Sequence, residues 1–307
     1  MIREYPRGAA AMSSHVARLE PRVLLTTARF YDANVLAIEG TAGDDQITVT
    51  IDANAGQVVI QTVGQPEIRV FVNHSPRKPA HNVHRIRVDG FGGNDTLIAN
   101  LGIPVGMSGG GGDDTLESSS LNFEVLGGFG NDTLRATNAA ATYTYVSGDQ
   151  GHDTLDASAV LGGRVVADGG GGRDLIRLGG GDDFAWGGPN SDTIVGNAGD
   201  DVLVAGRGDD LCYGDAITNG PSGGDDWIFG MDGSDTLAGG AGVDHLFGQS
   251  GADDLHGDDG ADFLFGGGGN DTLVSDAGDT FRYREYRRYE RLLYDLIPAE
   301  VRPIFNG

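Results

Sequence analysis

Asp174, Asp183, Asp192, Asp201 and Asp210 stand nine residues apart, and after one interruption Asp226, Asp235, Asp244, Asp253, Asp262 and Asp271 resume the same spacing. In most units a glycine lies two residues before the aspartate and an aliphatic residue two after it, as in Gly266-Gly-Gly-Gly-Asn-Asp271-Thr-Leu273. The glycines allow positive φ angles and turn the backbone carbonyls inward. The aliphatic residue points into the body of the repeat and stacks on its equivalent in the next one. A period this short, held over a hundred residues, constrains the chain to a stack of small units that bury a core only together.

A nine-residue period of the form G-G-x-G-x-D-x-U-x, with U large and apolar, is the pattern of a parallel β-roll. The expected fold is therefore all-β: a calcium-binding parallel β-roll, a β-solenoid of nine-residue half-coils with an N-terminal β cap and a short C-terminal helix. From 169 to 279 both edges of the roll carry glycine-aspartate turns. The U slots there read Ile176, Ala185, Ile194, Leu203, Cys212, Ile228, Leu237, Leu246, Leu255, Leu264 and Leu273. Cys212 thus falls on a core position and is expected to act as a small buried hydrophobe. From 89 to 168 the marked aspartates are Asp95, Asp114, Asp132 and Asp153, at intervals of 19, 18, 21 and, on to Asp174, 21 residues. That is close to twice nine, so this stretch keeps one metal-type edge and one plain edge. Its plain half-coils place Met107, Val125, Val146 and Ala167 in the U slot. Ala216 to Ser222 is an insertion expected to bulge from one edge, and Asn190 replaces a turn glycine, which Asn tolerates because it visits the left-handed region.

Residues 34–88 alternate apolar and polar, as in Ile47-Thr-Val-Thr-Ile51, and read as half-buried strands. With Gly40 to Ile47 as one degenerate repeat, 30–88 is expected to be the opening cap, since an open solenoid end exposes unpaired strand edges. Residues 1–29 read as a leader or tail. Residues 280–307 are aromatic and basic. Tyr286, Tyr289, Leu293 and Leu296 share one face at helical spacing, so a closing helix stopped by Pro298 is expected, with a secretion or partner signal as the other reading.

The charge is concentrated in the repeats. Residues 89–279 carry 5 basic and 33 acidic residues, a net of −28, against a net of −24 for the whole chain. Of the 45 acidic residues 36 are Asp; Asp with Gly signals tight turns rather than an acidic disordered tail. Such a surface repels nucleic acid and anionic membrane and calls for cations. One cysteine permits no internal disulfide. No apolar run approaches the roughly 18 residues of a membrane span, and the N-terminus shows no apolar core of a secretory signal peptide.

Calcium takes six to eight hard oxygen ligands. Turn carbonyls supply some, and Asp supplies charge on a chain short enough to stay over the turn. Neighbouring coils stack at about 4.8 Å, where two carboxylates repel by roughly 3.5 kcal/mol at an effective dielectric near 20. Repeated along two edges, this is comparable with a whole domain's stability of about 5–15 kcal/mol, and a divalent ion between each pair reverses its sign.

These turns resemble those of the RTX, or haemolysin-type calcium-binding, repeat family, over about 89–273. The resemblance implies calcium between turns one coil apart on the same edge. The pairs are 95/114, 114/132, 132/153 and 153/174, then 174/192, 183/201 and 192/210, then 226/244, 235/253, 244/262 and 253/271. That makes about eleven Ca2+ ions held by the fifteen aspartates named above. It also implies a secreted or surface-associated bacterial protein that folds on meeting calcium, with export machinery or a cell-surface partner engaging the C-terminal segment. Residues 18–27, Arg-Leu-Glu-Pro-Arg-Val-Leu-Leu-Thr-Thr, resemble a short LEPR-x-L-L element of large bacterial extracellular repeat proteins.

Enzymatic motifs are weak. Gly106-Met-Ser108-Gly-Gly110 and Gly220-Pro-Ser222-Gly-Gly224 match G-x-S-x-G, but glycine saturates both regions and neither has a strand-to-helix context. His81-Asn-Val-His84 lacks the H-E-x-x-H form of a zinc protease, and His74, His81 and His84 read as a solvated loop. The Asn-Asp-Thr triplets at 94–96, 131–133 and 270–272 match a glycosylation sequon but read as turn residues five to seven. The expected function is non-enzymatic calcium binding. The alternatives are an accessory repeat module of a polysaccharide-acting enzyme, or an adhesin or matrix protein using the roll as a spacer.

Overall fold

The computed structural model describes residues 27–32, 35–52, 57–63, 68–71, 85–120, 122–216, 223–275, 278–282 and Leu296. Among them, successive strands from Arg85 onward alternate between two sheets, each of thirteen strands. Val105–Gly111, Asn122–Phe129 and Tyr143–Gln150 follow one another in the first sheet. Thr115–Ser118, Thr133–Ala136 and Thr154–Asp156 lie between them in sequence and pair in the second. Every pairing among them is parallel. One strand from each sheet makes one coil, and the chain is a parallel β-solenoid of the expected class.

The register lines up the U slots. Down the second sheet Leu97, Leu116, Leu134, Leu155, Ile176, Ile194, Cys212, Leu237, Leu255 and Leu273 pair in single file. Down the first, Met107, Val125, Val146, Ala167, Ala185, Leu203, Ile228, Leu246 and Leu264 do the same. These columns face each other in one contiguous core. Inward U residues and outward neighbours follow from the two-residue period of a strand. Cys212 is fully buried in its column, and burial raises its thiol pKa.

Both sheets begin in antiparallel strands. Thr27–Asp32 pairs with Val35–Glu39 at the edge of the first sheet. At the edge of the second, Gln46–Asp52, Gln57–Thr62 and Ile68–Phe71 form a meander. The parallel ladder starts where Val35–Glu39 meets Arg85–Asp89 and Gln46–Asp52 meets Thr96–Asn100. At the far end Thr280–Arg282, expected to open the closing helix, is instead the last strand of the first sheet, paired with Phe263–Gly268. The rest of that helix, apart from Leu296, the LEPR-x-L-L element and His74, His81 and His84 lie outside the described residues. Among the described residues no helix is long and apolar enough to cross a membrane.

The insertion leaves the stacking intact. Val202–Arg207 pairs directly with Trp227–Asp232, and Leu211–Asp215 with Thr236–Gly242. It therefore sits within a turn, between Gly214 and Gly224, and most of it, with Ser222, lies outside the described residues.

Candidate metal centres along the two edges

The turn Gly127-Gly-Phe-Gly-Asn-Asp132 shows how each edge is built. Gly128 and Gly130 have φ of 116° and 123°, angles that L side chains rarely adopt. A Cβ on Gly130 would run into the carbonyl oxygen of Gly112 in the coil before. Several second turn positions that are not glycine keep the left-handed angle, at Phe91, Asp149, Asn197, Met231, Gln249 and Asp258, and Asn190 has φ 83° in place of the fourth-position glycine.

Each aspartate turns inward and reaches back one coil. Oδ1 of Asp132 accepts the backbone N–H of Asp114 at 2.7 Å, and Oδ1 of Asp114 accepts that of Asp95. On one edge this ladder runs without a break through Asp45, Asp95, Asp114, Asp132, Asp153, Asp174, Asp192, Asp210, Asp235, Asp253 and Asp271. On the other it runs through Asp183, Asp201, Asp226, Asp244, Asp262 and Asp279. It crosses the insertion on both edges, as Asp201 to Asp226 and Asp210 to Asp235, at 2.8 and 2.9 Å. Asp45 and Asp279 join as end members. The expected metal aspartates thus come together in two lines.

The second carboxylate oxygen has no such partner. Oδ2 is buried without a hydrogen bond in Asp95, Asp114, Asp132, Asp153, Asp174, Asp192, Asp210, Asp235 and Asp253, and on the other edge in Asp201, Asp226 and Asp244. The first turn glycine shows what it faces. A Cβ on Gly127 would meet Asp132 Oδ2 and lie 2.8 Å from the carbonyl oxygen of Gly148, the equivalent glycine one coil on. The same pair of oxygens crowds Gly90, Gly109, Gly148, Gly196, Gly230, Gly239 and Gly248. Acceptor thus faces acceptor, coil after coil, with no donor between. A buried carboxylate oxygen left so costs several times an ordinary hydrogen bond. The first turns of the two edges are satisfied locally: Thr41 donates to Asp45 Oδ2 through its N–H at 2.6 Å and its hydroxyl at 3.0 Å, and the Gly179 N–H donates to Asp183 Oδ2 at 2.9 Å.

Burial pushes these carboxyls upward, with neighbouring aspartates adding to it. Asp114 and Asp132 are raised to about 6, Asp95 and Asp153 to about 7, and Asp192 and Asp226 to about 8. Asp201, desolvated and flanked by Asp183 and Asp226, reaches about 10. Each wants a proton or a cation. Among the described residues no three Asp, Glu, His or Cys side chains converge on one point, so a cation here takes the rest of its ligands from backbone carbonyls. All-oxygen sites of that kind suit a hard ion such as calcium.

A second ladder was not visible in the sequence. The fifth turn residue bonds in the opposite sense: the Asp113 N–H donates to Asn94 Oδ1, the Asn131 N–H to Asp113 Oδ1, the His152 N–H to Asn131 Oδ1 and the Arg173 N–H to His152 Nδ1. This position tolerates Asp, Asn, Ser or His because it needs only an acceptor, and so it shows no fixed residue type. It also accounts for Asn94 and Asn131 as turn residues.

The family description of the RTX calcium-binding nonapeptide repeat matches four segments, residues 161–185, 186–216, 222–255 and 247–281. No curated protein and no solved structure matches the chain. The two sheets, the stacked U columns and these repeats define an RTX-type parallel β-roll. The matched segments within 161–281 carry RTX calcium-binding repeats, and the region before residue 161 extends the same aspartate ladder.

Proposed function

We propose that the chain is a non-enzymatic, calcium-dependent β-roll that acts outside the cell and folds on calcium uptake. The observation that carries this is the row of twelve buried Oδ2 atoms without donors. Bound calcium supplies the positive charge these oxygens lack. Asp95, Asp114, Asp132, Asp153, Asp174, Asp192, Asp210, Asp235 and Asp253 hold it along one edge, and Asp201, Asp226 and Asp244 along the other, each with a glycine or alanine carbonyl of the next coil. This differs from the sequence-based pairs in three places. The ladder adds 201/226 and 210/235, while 183/201 drops out because Gly179 already satisfies Asp183. Asp271 contributes from the end of its edge.

Among the described residues no catalytic arrangement stands out. Ser108 lies within the strand Val105–Gly111, just before a glycine turn, and is not at a strand-to-helix turn. Equilibrium dialysis of the chelated, then reloaded, full chain tests the reading: about twelve calcium ions per chain are expected, and one or two, or none, overturns it.

A further inference from the structure

The outer face of a solenoid sheet normally meets solvent, and the second sheet obeys: its outward residues Val195, Leu211 and Tyr213 are all partly exposed. The first sheet does not. Outward of its core column, Trp186, Val204, Phe229, Phe247 and Phe265 pair in register over five strands. Val204 and Phe229 are 0 % exposed, Phe247 2 % and Phe265 3 %. Beside them Phe184 is 1 % exposed. The rings stack on one another, Phe229 on Phe247 at 4.9 Å and Trp227 on His245 at 4.0 Å. Stacking along the face cannot remove its outer side from water, so something lies across it. One described residue outside the roll packs against this cluster: Leu296, helical and half-buried.

We propose that residues 283–297 dock as an amphipathic helix along the outer face of the first sheet and cover this aromatic stripe. The chain leaves the roll at Arg282, on the last strand of that same sheet, so the segment starts at the end of the stripe. A fifteen-residue helix is about 22 Å long, and five strands at roughly 4.8 Å spacing span about 19 Å. The lengths match, and they bring Leu296 back over the far end. Tyr286, Tyr289, Leu293 and Leu296 form the face that meets the sheet, while Arg284, Arg287, Arg288 and Arg291 fall on the other side. The segment is thus a brace along several coils rather than a plug on the last one.

Trp186 and Trp227, the two tryptophans of the chain, both belong to this surface, so fluorescence reads the cover directly. In the calcium-loaded full chain, Leu293→Asp with Leu296→Asp is expected to shift tryptophan emission to the red and raise acrylamide quenching several-fold, with circular dichroism retained. Unchanged emission and quenching on a folded roll overturns the proposal. If that variant does not fold, a full chain with p-benzoylphenylalanine in place of Leu296 decides. Irradiation at low protein concentration is expected to link it, within one chain, to peptides carrying Phe184, Val204 or Phe229. Links to residues 1–26, to a second chain, or none at all overturn the proposal.

Discussion

The backbone N–H of Asp201 donates to Oδ1 of Asp226 at 2.8 Å, across twenty-five residues where the neighbouring coils use eighteen. The roll therefore treats the insertion as an extension of one turn. Removing residues 216–222 restores the ordinary spacing, and loop-closure entropy changes by only about 1 kcal/mol or less for such a difference. The shortened chain is expected to keep its calcium count and a melting temperature within a few degrees of the parent. Loss of two ions would show that the insertion takes part in binding.

The two carboxylate oxygens do different jobs, and Asp132→Asn separates them. Asn keeps an acceptor for the Asp114 N–H but removes the charge from the orphan position. The variant is expected to bind fewer ions, while its chelated form gains stability because a costly buried charge is gone. Leu255→Ala, which opens a cavity in the core column, lowers both forms by about 2–5 kcal/mol. Calcium-dependent and calcium-free melts of the pair check the contrast.

Acid should substitute for calcium. Most of the ladder carboxyls sit at about 6 to 8 in the fold because of burial, and Asp201 at about 10, against roughly 3.9 in an unfolded chain. A group raised by folding contributes its full stability below the unfolded value and loses it as pH climbs through the folded one. In chelator the roll is therefore expected to be most stable near pH 4 and to weaken progressively from there through pH 8. The same titration in calcium should be much flatter. A chelated protein that is more stable at pH 8 than at pH 5 contradicts this.

Glycines at different positions of the turn should differ sharply. Gly130 has φ 123° and no room for a Cβ, whereas a Cβ on Gly111 meets only Phe129 Cβ, at 4.0 Å. Gly130→Ala is expected to cost at least about 1–3 kcal/mol of backbone strain, and Gly111→Ala about 0.5 kcal/mol or less. Thermal melts in saturating calcium measure both.

Much of this was legible in the sequence because the roll repeats one short unit. The period set the fold class, the U slots and the two lines of aspartates, and Cys212 took its core place by counting alone. What it concealed lies between coils rather than within them. The Oδ1-to-amide ladder appears only once strands stack, and it is what carries the pairing across the insertion. The outer stripe was written as aromatics flanking the U slots, at 184, 186, 227, 229, 247, 263 and 265. A half-buried strand and a doubly buried one look alike until the covering segment is placed. Thr280–Arg282 read as helix from the tyrosines and arginines beyond it, yet Asp279 continues the ladder and carries the sheet one strand further.

The most direct test of the account is a calcium titration of the chelated full chain at pH 7.5, followed by far-ultraviolet circular dichroism. The buried Oδ2 rows predict a cooperative gain of β-signal as calcium rises, reversed by chelator. A spectrum that is already fully β without calcium and does not change on its addition would contradict the claim that the ion holds the coils together.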